Sequence, residues 1–239
     1  INLVYGEAVK LADQVFFFKR MIREAALKQN CFATFMAKPI QDEPGSAMHI
    51  HQSVSEIASG KNIFTKEDNS PSDYFYNFLA GQQLFLPNLI SLMAPYVNSY
   101  RRYLATGSAP INLEWGYDNR TTGLRIPVSS TKSLRIENRV VGMDSNPYLA
   151  IAASLACGYL GIKKGLMPRK AVKGEAYSLP RALPRGLLEG LDLFDQVPEL
   201  EKVLGKNFCQ VYKSLKRYEA EAFLQVISPW EREHLLLNV

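Results

Sequence analysis

Seven residues constrain this chain more than any others: Leu134-Arg135-Ile136-Glu137-Asn138-Arg139-Val140. Their apolar and charged residues alternate with period two, so the stretch, with Ser133 before it, predicts a β-strand. Leu134, Ile136 and Val140 point one way, and Arg135, Glu137 and Arg139 the other, spaced roughly 7 Å apart along the strand. A carboxylate flanked by two guanidiniums is expected to stay ionised, either binding a metal or being neutralised by its neighbours. Taken alone, the strand supports a salt-bridged polar face and the wall of a binding site equally well.

Its surroundings point to anions. Six arginines and one lysine stand against three acids between positions 101 and 139. The segment runs from Asn98-Ser99-Tyr100-Arg101-Arg102 through Trp115 to Arg120 and Arg125-Ile126-Pro127, and ends at Asn146-Pro147-Tyr148. Arginine's planar fork meets carboxylate and phosphate oxygens two at a time and keeps its charge when partly buried. Interleaved with Gly, Pro and aromatic residues, such a density suits a pocket for polyanionic small molecules, phosphates first among them.

A second alternating stretch, Gly45-Ser46-Ala47-Met48-His49-Ile50-His51-Gln52-Ser53, puts His49, His51 and Ser53 on one face and Met48, Ile50 and Val54 on the other. The chain has three histidines, and two share this face. Neutral imidazole is a common metal ligand. Two histidines hydrogen-bonded in a half-buried sheet are the plainer reading of the same pattern, which recurs widely.

Composition narrows the class. The 239 residues suffice for one large domain or two small ones. A net charge of +5 could indicate a nucleic-acid partner, but the excess lies among Gly, Pro and aromatic residues and not in a lysine run, so none is expected. Cys31, Cys157 and Cys209 cannot all pair and lack metal spacing, which predicts a reducing, cytoplasmic setting. No stretch approaches the roughly 18 apolar residues of a membrane span, so no membrane association is expected, and none reads as a signal peptide.

Along the chain, Ile1 to Tyr5 reads as a strand entered midway, and the expectation is that an N-terminal portion is missing. An apolar stripe from Ala8 to Ala26 predicts a helix over about Glu7–Gln29. Phe32 to Met36 reads as a short buried strand, and Ser59 to Asn62 as a hairpin-like turn. Ser72 caps a helix from Asp73 to about Phe85, which Pro87 kinks or restarts before Asn88–Met93. Ala105 to Pro110 reads as a mobile loop over the arginine pocket. Asn146-Pro147 starts a buried helix to Gly161. Beyond Gly165 come an extended excursion to Pro184 and helices near Leu187–Phe194, Glu199–Leu204 and Phe208–Gln225. A last helix is opened by the capping box of Ser228 and Glu231.

Taken together, these segments resemble the C-terminal catalytic domain of the glutamine synthetase family. The likeness rests on Lys38-Pro39, on Gly45-Ser46 with Met48, His49, His51 and Ser53, and on Asn98-Ser99-Tyr100 with Arg102. It continues through Asn119-Arg120, Arg125-Ile126-Pro127, Arg135-Ile136-Glu137 with Arg139, and Asn146 to Ala150. The resemblance implies an α+β fold in which a largely antiparallel sheet forms the active-site wall against packed helices. Residues 1–239 would be one portion of that domain, with 165–239 its helical C-terminal extension. It implies a ligase that uses ATP to phosphorylate the γ-carboxylate of glutamate, after which an amine displaces the phosphate. His49 and Glu137 would ligate Mg²⁺ or Mn²⁺, and further acidic ligands would precede Ile1. Gly45, Arg102 and Arg139 would contact glutamate. His51, Ser53, Arg120, Arg125, Lys132 and Arg135 would lie along ATP, with Arg102, Arg120 and Arg139 acting on the reacting groups.

Two departures bear on the amine. Pro44-Gly45 stands where ammonia-using members carry Asn-Gly, and Ser108 stands where they carry the flap glutamate that helps deprotonate ammonium. Asn112 to Tyr117 and the Trp230 to Glu233 tail look more like the γ-glutamyl-polyamine (putrescine) branch. The full-length protein is expected to form a homo-oligomeric ring, and the 239 residues alone are expected to be inactive. A non-catalytic family member with an assembly or binding role is the alternative.

Overall fold

The computed structural model describes residues 1–103 and 109–239. Its order is a long helix α1 (Ala8–Leu27), strand β1 (Ile50–Gln52) and helices α2 (Asp73–Phe85) and α3 (Ile90–Met93). Strands β2 (Trp115–Tyr117), β3 (Leu124–Ile126) and β4 (Ile136–Asn138) follow. The chain ends in helices α4 (Pro147–Lys164), α5 (Leu187–Phe194), α6 (Pro198–Leu204), α7 (Lys206–Leu224) and α8 (Pro229–Leu235). This is the α+β arrangement expected.

The helix starts follow local chemistry. Ser72 accepts a hydrogen bond from the Phe75 amide, Asn146 accepts from Tyr148 and Leu149 ahead of Pro147, and Ser228 and Glu231 close a reciprocal capping box. Pro87 lies in a 3-10 turn, Leu86–Leu89, that separates α2 from α3. At φ +59°, Gly165 adopts the left-handed conformation that ends α4.

The four strands order β1-β4-β3-β2. Two of the three pairings are antiparallel, and β2 and β3 run parallel, so the sheet is mixed. His51, Glu137, Arg125 and Gly116 stand abreast across it, as do Ile50, Asn138, Leu124 and Trp115 in the next row. The second row is buried against the core. The first row therefore forms the opposite, polar face. Behind the sheet, Gln52 Oε1 accepts from Gln82 Nε2 of α2 at 2.7 Å and from Ser154 Oγ of α4 at 2.6 Å. Asn138 Nδ2 donates to the same Ser154 hydroxyl at 3.1 Å. Buried polar groups must be paired, and this network ties β1 and β4 to both helices.

Four strand expectations are corrected. Ile1–Tyr5 and Phe32–Met36 form no strand; among the described residues neither has a neighbouring backbone to complete a ladder, and Ile1, Val4, Tyr5 and Phe32 are largely exposed. The alternating stretches are also shorter than their pattern. Only Ile50–Gln52 and Ile136–Asn138 pair continuously, with an isolated bridge between Ala47 and Gly142 and a 3-10 turn over Thr131–Ser133. The expected loop residues Ala105–Ser108 lie outside the described residues. Beyond Gly165 the described regular elements are all helical. Tyr212 of α7 donates to the Ser91 carbonyl at 2.6 Å, and Asn88 donates to Leu193 O of α5 at 2.8 Å, so these helices share the central core.

Helices α2 and α4 pack as the principal pair, and glycine sets their separation. A Cβ on Gly161 would lie 2.1 Å from Asn77 O and 2.7 Å from Gly81 Cα. One on Gly158 would enter the Phe78 ring. The Gly161→Ala substitution is expected to cost about 1–3 kcal/mol in urea unfolding. Gly174→Ala, with nothing within 4 Å of the added carbon, should leave the midpoint unchanged.

Candidate active site

Glu137 is the centre of the polar face. It lies mid-strand in β4 and its side chain is 3% exposed. Oε1 accepts from Arg139 Nη1 at 2.9 Å and from His49 Nδ1 at 3.0 Å, and Oε2 accepts from Arg125 Nη1 at 2.7 Å. Burial alone would push its pKa up; the hydrogen bonds of His49 and Arg125 and the charge of Arg139 outweigh it and hold the carboxyl at about 2. Each partner is placed by the sheet. Arg125 sits directly across the β3–β4 ladder, Arg139 follows β4 by one residue, and His49 immediately precedes β1.

His51, directly across from Glu137 in the β1–β4 pair, lies farther off, with Nε2 at 3.9 Å from Oε1. Arg135 Nε donates to His51 Nδ1 at 3.2 Å. An arginine N–H can only donate, so Nδ1 is the acceptor nitrogen and the tautomer follows. Burial first, and then the neighbouring guanidiniums of Arg135 and Arg125, lower the His51 pKa against the opposing pull of Glu137.

The glutamate-side residues meet around Arg102, which is buried in the 3-10 segment Val97–Tyr103. Its Nη2 donates to Arg139 O at 3.0 Å and Val140 O at 3.1 Å, while buried Nη1 has no protein partner. Arg139 Nε is likewise buried and unpaired. Gly45 packs on the Arg102 stem: a Cβ there would lie 2.7 Å from both Arg102 Cγ and Ala37 O. The Lys38-Pro39 and Asn98-Ser99 motifs are stapled by reciprocal 2.9 Å bonds between the Asn98 amide and the Lys38 backbone. Gly45, Arg102 and Arg139 thus come together, as do His49, Glu137 and Arg125. Ser53, Arg120 and Lys132 do not join that cluster; they are exposed, and Arg120 has no ion-pair partner among the described residues.

The donor set suits a divalent cation in part. His49 Nδ1 and Glu137 Oε1 are 3.0 Å apart, so one imidazole nitrogen and one carboxylate oxygen would be within reach of the same cation. A cation would take the place of the proton they share. Among the described residues no group of three or more His, Cys, Asp and Glu side chains converges for such an ion.

Three features escaped the sequence pattern. Asp118 binds Arg125 from the side opposite Glu137, signalled only by an Asp-Asn pair that reads as a turn. Asp144 accepts from Ser99 Oγ, leaving Oδ1 buried and unpaired. The excursion after Gly165 is strapped along β2. Val172 N donates to Trp115 O at 2.8 Å, Ala176 N to Thr121 Oγ1 at 2.8 Å, and Asn119 Nδ2 to Gly174 O at 2.7 Å. That course brings Tyr177 within electrostatic range of Arg139.

A depressed carboxyl pKa means that the folded state releases this proton more readily than the unfolded chain does. The resulting stability is therefore complete above about pH 4.5 and is lost as pH falls towards 2. Glu137→Gln should cost about 3 kcal/mol near neutrality by leaving two guanidiniums without their anion. In urea titrations at several pH values, the gap between wild type and Glu137→Gln should narrow steadily across that window. A constant gap would mean that Glu137 titrates at its ordinary value.

The glutamine synthetase catalytic domain matches residues 1–235. Type-1 glutamine synthetase 2 of Dictyostelium discoideum is 38% identical over 97% of this chain and 46% of its own length. Glutamate–isopropylamine ligase of Pseudomonas sp is 37% identical, covering 97% and 51%. Gamma-glutamylputrescine synthetase PuuA of Escherichia coli (strain K12) is 36% identical, covering 100% and 51%. A GmaS/ADP complex superposes with a TM-score of 0.89 at 31% identity, over 98% of this chain and 56% of that one. The chain spans about half the length of the relatives it matches. With the buried Glu137 cluster and the six ordered motifs of the sequence, these likenesses place the chain in the glutamine synthetase family.

Proposed function

We propose that this chain belongs to an ATP-dependent ligase that joins the γ-carboxylate of glutamate to an amine. The observation that carries the reading is the Glu137 cluster: a buried, ionised carboxylate held by His49, Arg125 and Arg139 on the polar face of the sheet. Support also comes from relatives named for glutamate–isopropylamine and γ-glutamylputrescine ligation.

In this reading His49 and Glu137 hold Mg²⁺ or Mn²⁺, with remaining ligands from water, phosphate or other parts of the protein. When bound, such a cation would supply neutralisation of phosphate charge. Arg125, Arg135, His51, Ser53, Arg120 and Lys132 line the nucleotide. Arg102 and Arg139, each with a buried guanidinium nitrogen unpaired, bind glutamate or its γ-phosphoryl form, and Gly45 lets the backbone approach. Arg102, Arg120 and Arg139 stabilise charge as the phosphoryl group moves, which is largely electrostatic work. Glutamate's carboxylate oxygen takes the γ-phosphoryl group and ADP departs; the amine nitrogen then attacks the acyl carbon, phosphate departs and the amine loses a proton.

The acceptor proposed is an alkylamine or polyamine such as putrescine, not ammonia. Ser108, the basis of that reading in the sequence, lies outside the described residues, so its support is the sequence departure together with the relatives' names. A homo-oligomeric ring and a cytoplasmic setting belong to the same proposal, as does treatment of residues 1–239 as one portion of the catalytic domain. No described helix is long and apolar enough to cross a membrane.

Steady-state kinetics of the full-length protein at saturating ATP and glutamate should give putrescine, spermidine or ethanolamine a higher kcat/KM than ammonium. Ammonium outperforming every alkylamine would return the reading to an ordinary glutamine synthetase. His49→Ala and Glu137→Gln should each lower turnover at limiting Mg²⁺ or Mn²⁺ by about 100-fold, the scale of losing a metal-site contact. Wild-type rates in both would make the pair structural. The 239 residues alone should turn over negligibly, because the described residues gather only a histidine–glutamate donor pair.

A further inference from the structure

Asp118 has no part in the chemistry proposed above, yet it shapes the group that would meet phosphate. It follows β2 directly and has φ +46°, one of three non-glycine residues with positive φ among those described. Left-handed backbone is costly for most side chains and tolerated best by Asn and Asp. Where such a residue persists, the surroundings over-determine it. Here the Asp118 amide donates to Ile126 O at 2.8 Å, holding the turn to the end of β3.

The turn has a chemical outcome. Across the β2–β3 pair Arg125 faces Gly116, which has no side chain to meet it. A Cβ there would lie 2.7 Å from Val172 O. Asp118, two residues on, supplies the missing group: its Oδ1 accepts from Arg125 Nε at 3.0 Å and also from Nη2. With Arg125 Nη1 on Glu137 Oε2 at 2.7 Å, three of the five guanidinium N–H groups are committed. One remains on each Nη.

We infer that Asp118 is a positioning residue: with Glu137 it clamps Arg125 so that the two remaining N–H groups form a fixed fork for phosphate oxygens of the nucleotide. The inference rests on the nucleotide reading above. A guanidinium held from two sides is ordered before the ligand arrives, whereas one held by Glu137 alone must be ordered on binding. Glu137 answers to His49 and Arg139 through Oε1 as well as to Arg125 through Oε2, whereas the Asp118 oxygen serves Arg125.

Calorimetric titration of ADP into the full-length protein tests the clamp. Asp118→Asn keeps size and tolerance of the left-handed backbone and removes the charge; it should weaken ADP about tenfold, the scale of ordering one long side chain on binding. Adenosine, which lacks phosphate, should bind as to wild type, and the unfolding midpoint should not move. In an Arg125→Lys background, where there is no fork, Asp118→Asn should have no further effect. Asp118→Gly, which relaxes the backbone, should reproduce the ADP loss. Wild-type ADP affinity in both Asp118 variants, or an equal loss for adenosine, would overturn the clamp alone. Failure of the wild-type protein to bind ADP would overturn the nucleotide reading and the clamp with it.

Discussion

A carboxylate buried in the middle of a sheet is the constraint on which this structure turns. An isolated ionised carboxyl at the position of Glu137, 2% exposed, would be untenable, because desolvation of a lone charge far exceeds what a marginally stable fold can absorb. It is tolerated because three donors from three different segments converge on its two oxygens. That convergence depends on register. A one-residue slip of β1 or β3 would turn the side chain facing Glu137 to the other face of the sheet. The charge cluster and the strand pairing therefore enforce one another.

What makes the polar face rigid lies behind it. Gln52 and Asn138, on the reverse side of β1 and β4, share the Ser154 hydroxyl with Gln82, so each strand is tethered to the α2–α4 pair. Glycines at 81 and 161 let those helices approach until backbone meets backbone, and Gly158 makes room for the Phe78 ring. A network of this kind holds only when nearly every member is satisfied. Its location beneath His51 and Glu137 transmits helix packing directly to the geometry of the site. The excursion after Gly165 does the same for β2 from the outside, through Asn119, Thr121 and Trp115.

Signals that act within a few residues were legible. The caps at Ser72, Asn146 and Ser228 and the break at Pro87 emerged where short-range chemistry places them, whereas α4 runs past the expected end at Gly161 to Lys164 and stops at Gly165. Alternation identified the strand faces, and the candidate site gathers on the face shared by His49, Arg125, Glu137 and Arg139. The same rule failed at Ile1–Tyr5 and Phe32–Met36, since apolar residues in a row say what a segment could pair with and not whether a partner is present. It also overstated strand length around Ser133 and Gly45, where turns and a single bridge interrupt the ladder.

By itself the sequence determined where the capped helices begin, the two alternating faces, the density of arginine and the ordered motifs of the glutamine synthetase family, because each depends on spacing along the chain. Only the tertiary structure decided which charges meet. Arg125 and Glu137 are twelve residues apart and His49 is eighty-eight from Glu137, yet all three touch because β1 and β3 flank β4. Asp118 meets Arg125 through its left-handed turn beside a glycine, and Arg120, one motif residue among several, stayed outside the cluster. Sequence specifies what each side chain can bind. Proximity, and with it the choice of partner, comes from strand order and register.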